Sequence, residues 1–255
     1  MALYTDSNIT GFSDLQAYDS AVLEVARIEG VDLTSKIAVA DQEIALELQA
    51  FLLQQTGGPS AALHGGGFGL HQVVVTPGLQ QWHTLRTLAL VYGDVYNSQL
   101  NDRYLGKWNQ FVALAKQTSE MLFLTGVGIR VQPLSRASSP SLTPVAGTLT
   151  PGTYVIGIAW RNHFGEHGAP SLPVTLEIAE GQTVMATPPL KPSGAVSYDV
   201  YAGLTEASLS LQTVTPVAAE NSWTMPPGGL IEGDTPSPGQ TPDRFIRRHR
   251  TLQRG

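Results

Sequence analysis

Apolar residues recur every three to four positions from Leu15 to Leu122, and at every second position from Tyr154 onward. The two periods belong to different structures, because side chains line one face of a helix at a 3.6-residue repeat and one face of a strand at a repeat of two. A chain with both patterns in separate halves cannot be one uniform layer. The composition changes at Gln132, after which Pro, Ser and Thr dominate through Pro151.

In the first half, Ser13 to Gln16 has the form of a capping box, and Leu15, Tyr18, Val22 and Val25 follow at helical spacing up to Gly30. Thr34 is positioned to cap a second helix with the stripe Ile37, Ala40, Ile44, Leu48, Phe51 and Leu52, closed by Gly57, Gly58 and Pro59. A Gly-rich loop from Gly57 to Leu70 leads to Thr76 and Pro77, the cap and first residue of a third helix striped by Leu79, Trp82, Leu85, Leu88, Tyr92 and Tyr96. The fourth carries Leu105, Trp108, Phe111, Ala115 and Leu122 and stops at Gly126. Four helices with mostly short connections predict a bundle.

After the Pro/Ser-rich stretch, Tyr154 to Trp160, Val174 to Ile178, Val184 with Ala186, Val196 to Val200 and Leu209 to Val214 are short alternating runs separated by turn residues, the pattern of a small antiparallel β-sandwich. The expected fold is therefore multidomain, α plus all-β. It comprises a helical domain over residues 1–130, a Pro/Ser-rich linker and sandwich start over 131–150, a β-sandwich over 151–235 and a basic tail over 236–255.

Only 14% of the 255 residues are charged, against about 25% in an average soluble protein. With no Cys, disulfide, thiolate and iron–sulfur chemistry are excluded, and no apolar run approaches the roughly 20 residues of a membrane span. The first ten residues lack the basic-then-apolar pattern of a signal peptide, so a soluble, cytoplasmically made protein is expected. The net charge of −6 is uneven: residues 1–130 hold 7 basic and 12 acidic groups and residues 131–242 hold 3 and 8, whereas residues 243–255 hold five Arg and one Asp.

Candidate chemical sites are few. His163-Phe164-Gly165-Glu166-His167 matches the H-x-x-E-H string of inverted zinc peptidases, which requires a helix, yet it follows a strand and contains Gly165. A turn between strands is the better reading. His64-Gly65-Gly66-Gly67 resembles an esterase oxyanion loop but has no G-x-S-x-G nucleophile to serve. Glu43 and Glu47 lack the Glu-x-x-His partners of a di-metal bundle and read as a solvated face. No catalytic residue, cofactor site or metal site is assigned, and an enzyme is not expected. The remaining candidate is the terminal run Arg244, Phe245, Ile246, Arg247, Arg248 and Arg250, in which two apolar side chains stand among cations. Such a peptide suits docking to an acidic partner, with the apolar side chains as anchors. As no core stripe extends there, its deletion is expected to leave both domains folded.

The segments Leu15 to Gly30 and Gln81 to Tyr104 resemble helical structural proteins of tailed bacteriophages and prophages, in particular head-to-tail adaptor (connector, or neck) proteins. Tyr154 to Trp160, the turn Asn162 to Pro170, Tyr198 to Tyr201 and the close at Gly229-Leu230 and Gly239-Gln240 resemble a fibronectin type III or immunoglobulin-like module. The resemblance implies a virion protein of the neck, assembled in the host cytoplasm as a dodecameric ring between the portal protein and a stopper or tail-completion protein, with genome DNA passing through without sequence-specific binding. It also implies portal docking by the C-terminal run. The family pattern stops after helices and tail, so the β module is an addition. The rival expectation is a tail-associated module that recognises the host surface through the sandwich. A zinc peptidase using His163, Glu166 and His167 is the more distant alternative.

Overall fold

The computed structural model describes residues 1–6, 9–55, 67–99 and 102–248. Its chain forms two compact units, one of Met1–Asp6 with Arg130–Thr241 and the other of Ser7–Ile129 with Pro242–Gly255. The protein combines five helices with several antiparallel sheets among the described residues. Its connectivity differs from a helical domain, a sandwich and a tail laid end to end: the β-rich unit is inserted between two segments of the helical one.

The helical unit contains α1 (Phe12–Tyr18), α2 (Val22–Glu29), α3 (Leu33–Gln55), α4 (Pro77–Gln99) and α5 (Leu105–Thr125). The single first helix expected from Ser13 to Gly30 is broken between α1 and α2, because the Asp19 carboxylate turns inward and its Oδ1 accepts the Ala21 amide at 3.2 Å. The capping box also shifts. Gly11 is the cap, and its amide donates to Asp14 Oδ2 at 2.7 Å. On α3 the cap is Asp32 rather than Thr34, its Oδ1 accepting the Thr34 amide at 2.9 Å. Both shifts follow from carboxylates being stronger acceptors than hydroxyls for the orphan amides of a first turn.

The expected stripes hold in part: Tyr18 of the first is 46% exposed, and Val25, Ile37, Tyr96, Leu105 and Trp108 are half-buried. Ala40, Ile44, Leu48, Phe51 and Leu52 of α3, Leu79, Trp82, Leu85, Leu88 and Tyr92 of α4, and Phe111, Ala115 and Leu122 of α5 are buried. On α4 the opposite side is covered as well, at His83, Thr87, Val91 and Val95, so this helix is the centre of the unit. Stacked rings join α4 to α5 at Tyr92–Phe111 and Tyr96–Trp108, with centroids 5.6 and 5.4 Å apart. Gly93 permits that approach, because a Cβ there would lie 3.0 Å from Trp108 Nε1. After α5, β1 (Val127–Ile129) is buried and forms a bridge from Ile129 to Val73.

In the β-rich unit, β2 (Ser141–Ala146), β5 (Gln182–Thr187) and β9 (Trp223–Thr224) form one sheet in the order β2-β5-β9. The second runs β4 (Val174–Ile178), β3 (Gly152–Arg161), β6 (Ser197–Gly203), β7 (Ser210–Leu211), with β8 (Val217–Ala218) also on β6; every pairing is antiparallel. Side chains of both sheets, including Tyr154, Ile156, Ile158, Trp160, Val184 and Val200, share one core. Alternation predicts Val155 and Ala159 outside, yet the whole run from Tyr154 to Trp160 is buried. Beyond the end of β4, the segment after His167 continues along the same edge of β3, its Gly168 and Ser171 amides donating to the Trp160 and Ile158 carbonyls at 2.9 and 2.8 Å.

The Pro/Ser-rich stretch is largely structural rather than a linker. Leu134, Ala137 and Leu149 enter the core, and β2 carries Pro144 on a sheet edge, where a missing amide breaks no ladder. Residues 236–241 likewise belong to this unit. The buried Gln240 side chain accepts the Leu134 amide at 2.6 Å and donates to the Gln132 carbonyl at 3.2 Å.

Candidate partner-binding site

Residues 242–248 of the basic segment are not a free tail. Arg244–Ile246 forms β10, antiparallel to β1 in the register Val127↔Ile246, Gly128↔Phe245 and Ile129↔Arg244. The Asp243 amide donates to the Ile129 carbonyl at 2.9 Å, the Arg248 amide to the Phe123 carbonyl at 2.8 Å, and Arg247 Nε to the Thr125 carbonyl at 2.9 Å. Arg244 and Arg248 lie over the Phe68 and Phe123 rings, 5.4 and 5.0 Å from the centroids. Gly126 makes the return fit: its φ is +122°, and a Cβ there would come within 2.7 Å of Phe245 Cβ. Sequence periodicity is silent here because three residues of strand are too few to show a period, and their partner is more than a hundred residues away.

Hydrogen bonding thus fixes the backbone of Arg244, Phe245, Ile246, Arg247 and Arg248 while leaving much of their side-chain surface outside. Phe245 is 52% exposed and Arg244, Arg247 and Arg248 are exposed, with Ile246 half-buried. Arg250 lies outside the described residues. A pre-ordered strand presenting one ring among guanidinium groups loses less entropy on binding than a frayed terminus, so it suits an acidic partner with an apolar pocket.

Two buried polar clusters escaped the sequence reading. In the helical unit, Asp19 Oδ2 accepts the Tyr92 hydroxyl and Lys107 Nζ, the latter at 2.6 Å. Burial alone would raise the Asp19 carboxyl, but the hydrogen bonds from Lys107, Tyr92 and the Ala21 amide outweigh it and hold it below its ordinary value. Burial and that same carboxylate raise the Tyr92 hydroxyl. Tyr92→Phe is expected to lower stability by about 1.5 kcal/mol, the scale of a hydrogen bond to a charged group. Denaturant unfolding monitored at α-helix wavelengths checks this, and an unchanged midpoint would show the bond contributes nothing net.

In the β-rich unit, Asp199 on β6 is 2% exposed, and its carboxylate accepts His167 Nε2 at 2.6 Å, Thr213 Oγ1 at 3.0 Å and Arg161 Nη1 at 3.4 Å. Glu166 is bound elsewhere, by Arg130, Asn162 and Gln240. The H-x-x-E-H string is a turn in which Asn162 Oδ1 accepts the Phe164 and Glu166 amides, each at 3.0 Å. Glu166 and His167 therefore serve separate networks instead of converging on one metal position. His163 lies against Phe164, with centroids 3.7 Å apart and ring planes tilted by 43°. Among the described residues no group of three His, Asp or Glu side chains could hold a metal ion. His64, Gly65 and Gly66 lie outside them. Glu43 is paired with Arg86 at 2.6 Å, and Glu47 is exposed.

At one end of the β-rich unit, Thr148, Pro151, Tyr154, Leu204, Gly229 and Leu230 line an open cleft of about 550 Å³ without a charged side chain. No helix among the described residues is long and apolar enough to cross a membrane. No protein-family model matches the chain, and no curated protein matches it in sequence.

Proposed function

We propose that the chain is a structural, non-enzymatic protein of a tailed-phage particle: a head-to-tail adaptor whose helical unit, a bundle, builds a ring between portal and stopper or tail-completion protein. The observation that supports this reading most is the insertion. The helical unit runs from α1 to β1, leaves for the β-rich unit at Arg130, and is completed by β10 after Thr241. Removing residues 130–241 from the order would leave helices followed directly by a C-terminal segment, the arrangement the resemblance implies. The β-rich unit is then an added sandwich of fibronectin type III or immunoglobulin-like type.

The charge distribution supports the same reading. Phosphate contacts by Lys and Arg generate affinity for DNA, so a weakly charged, net acidic body lets a genome slide. The partners are the portal, the stopper or tail-completion protein and further copies of this chain in a dodecameric ring. The site is the virion neck.

The test is to mix the full chain with purified portal assemblies and image the particles. A ring beneath the portal is expected, and its absence would remove the proposal. Phe245→Ala with Arg244→Glu is expected to weaken docking at least about tenfold, the size of a modest interface hot spot. Both side chains are largely exposed and the Arg244 contact with Phe68 is worth only about 0.5–1 kcal/mol, so the thermal transition should move far less than on removal of β10. Undiminished docking would take the site away from β10.

A second reading rests on the uncharged cleft beside Leu204 and Leu230, which suits a neutral ligand of a host surface. Binding of the labelled full chain to intact cells, lost on Leu230→Arg, would favour it.

A further inference from the structure

A second cleft of the β-rich unit, of about 540 Å³, shares Leu204 and Leu230 with the uncharged one and takes in Ala202, Ser208, Ile231 and Glu232. Its wall is fixed from behind. The buried Gln212 side chain accepts the Ile231 amide and donates to the Ile231 carbonyl, both at 2.9 Å, and the Leu211 amide donates to the Asp234 carbonyl at 2.9 Å. Held in this way, Ile231 stays 43% exposed, and Leu204, just past the end of β6, 59%. Concave apolar surface that an ordered backbone keeps open is prepared for an apolar side chain of a partner.

Charge decides what that partner carries. Glu206, Glu232 and Asp234 are exposed at the cleft or within two residues of its lining, and none is paired with a cation among the described residues. No Lys or Arg lines the cleft. The cations of the unit are placed elsewhere: Arg161 at the end of β3 bonds Asp199, Arg130 bonds Glu166 in the turn that follows, Lys191 pairs with Glu220, and Arg136 bonds Asp6 through its amide. An acidic segment would be repelled here, and an uncharged one would leave three carboxylates unanswered. The fitting segment has an apolar side chain among cations. No stretch outside residues 244–250 has three cations within five residues, and β10 presents Phe245, 52% exposed, among Arg244, Arg247 and Arg248.

We propose that β10 of one copy of this chain seats Phe245 in this cleft of a second copy, with its arginines against Glu206, Glu232 and Asp234. Both sides are ordered in advance, the cleft by Gln212 and the strand by β1, so little conformational entropy is lost on association. Cleft and strand are different surfaces, so the contact is heterologous and every copy carries one of each. It does not rest on the adaptor reading. In that reading the same strand meets the portal, and it cannot serve both at once, so this contact belongs to the chain before it docks.

Sedimentation velocity of the full chain tests this. The wild type is expected to self-associate reversibly, and more weakly as salt is raised, because exposed charges are screened. Leu204→Arg in the cleft, and Phe245→Ala with Arg244→Glu in the strand, should each weaken association at least about tenfold, as loss of a modest hot spot does. Glu206→Gln with Glu232→Gln keeps the shape of two exposed side chains and should weaken it several-fold while removing most of the salt dependence. An equal mixture of the Leu204→Arg and strand variants should recover pairs and go no further, since the intact strand of one meets the intact cleft of the other; that recovery requires both to be folded. A wild type that stays monomeric at its highest soluble concentration would overturn the proposal, as would undiminished association of either cleft variant or a mixture that does not pair. Self-association without portal docking leaves the contact standing and removes the adaptor reading. A monomeric chain that still docks on the portal removes the contact alone.

Discussion

A chain ending at Thr241 is expected to melt its helical unit about 10 °C below the full-length protein, the shift that about 3 kcal/mol produces in a unit of this size. That energy corresponds to the three bonds lost beyond the strand ladder itself, from the Asp243 amide, the Arg248 amide and Arg247 Nε, at about 1 kcal/mol each. Removing β10 also uncovers β1, whose Val127 and Ile129 are 1 and 0% exposed. The β-rich unit keeps its residues and should melt unchanged. Differential scanning calorimetry separates the outcomes: one transition moves and the other stays. A helical transition that does not shift would return the segment to a dispensable tail, as its sequence alone suggests. Truncation therefore perturbs fold and docking together, and exposed substitutions at Phe245 and Arg244 are the cleaner probe of partner binding.

Asp199→Ala should cost the β-rich unit about 3 kcal/mol, the low end for breaking a buried ion pair, since His167 and Arg161 retain 27 and 31% side-chain exposure and are partly resolvated. Burial pushes the Asp199 carboxyl up, but the hydrogen bonds from His167 and Thr213, with the electrostatic pull of His167 and Arg161, hold it below its ordinary value. A carboxyl that binds its proton less tightly when folded adds stability at pH values above its unfolded pKa, about 3.9. That stability is lost as pH falls through the lower folded value. The wild-type β-rich unit is accordingly expected to lose stability steeply on the acid side, and Asp199→Asn to be less stable at neutral pH with a flatter acid limb. Chemical denaturation followed by tryptophan fluorescence at a series of pH values measures both, and parallel acid limbs would show that Asp199 is not the group responsible.

The same two kinds of contact explain which elements could be read in advance. The stripes of α3, α4 and α5 repeat over five or more turns, so each apolar position is reinforced by its neighbours, and Thr76-Pro77 marks a helix start by local geometry alone. The break at Asp19 carries no such signal. An aspartate within a helical pattern is ordinarily a surface residue, and it turns inward only because Tyr92 and Lys107, far along the chain, complete its hydrogen bonds. Asp199 presents the same problem within Tyr198 to Tyr201, where alternation marks a strand but not the His167, Thr213 and Arg161 that meet it. The candidate site was partly legible: the run from Arg244 to Arg248 is conspicuous as charge beside two apolar residues. Its backbone state was not.

By itself, the sequence determined the two classes of secondary structure, the switch between them near Gln132, the buried faces of the long helices and the concentration of basic charge at the C-terminus. Each is a property of local spacing, which the periods of helix and strand translate directly into faces. Tertiary structure alone decided that the β-rich unit is an insertion, that the first six residues belong to it, and that the basic segment is a strand on β1. The strand depends on hydrogen bonds between backbone groups more than a hundred residues apart, which are the same for every amino acid, and the first six residues are held by the Asp6 carboxylate accepting the distant Arg136 amide at 2.8 Å.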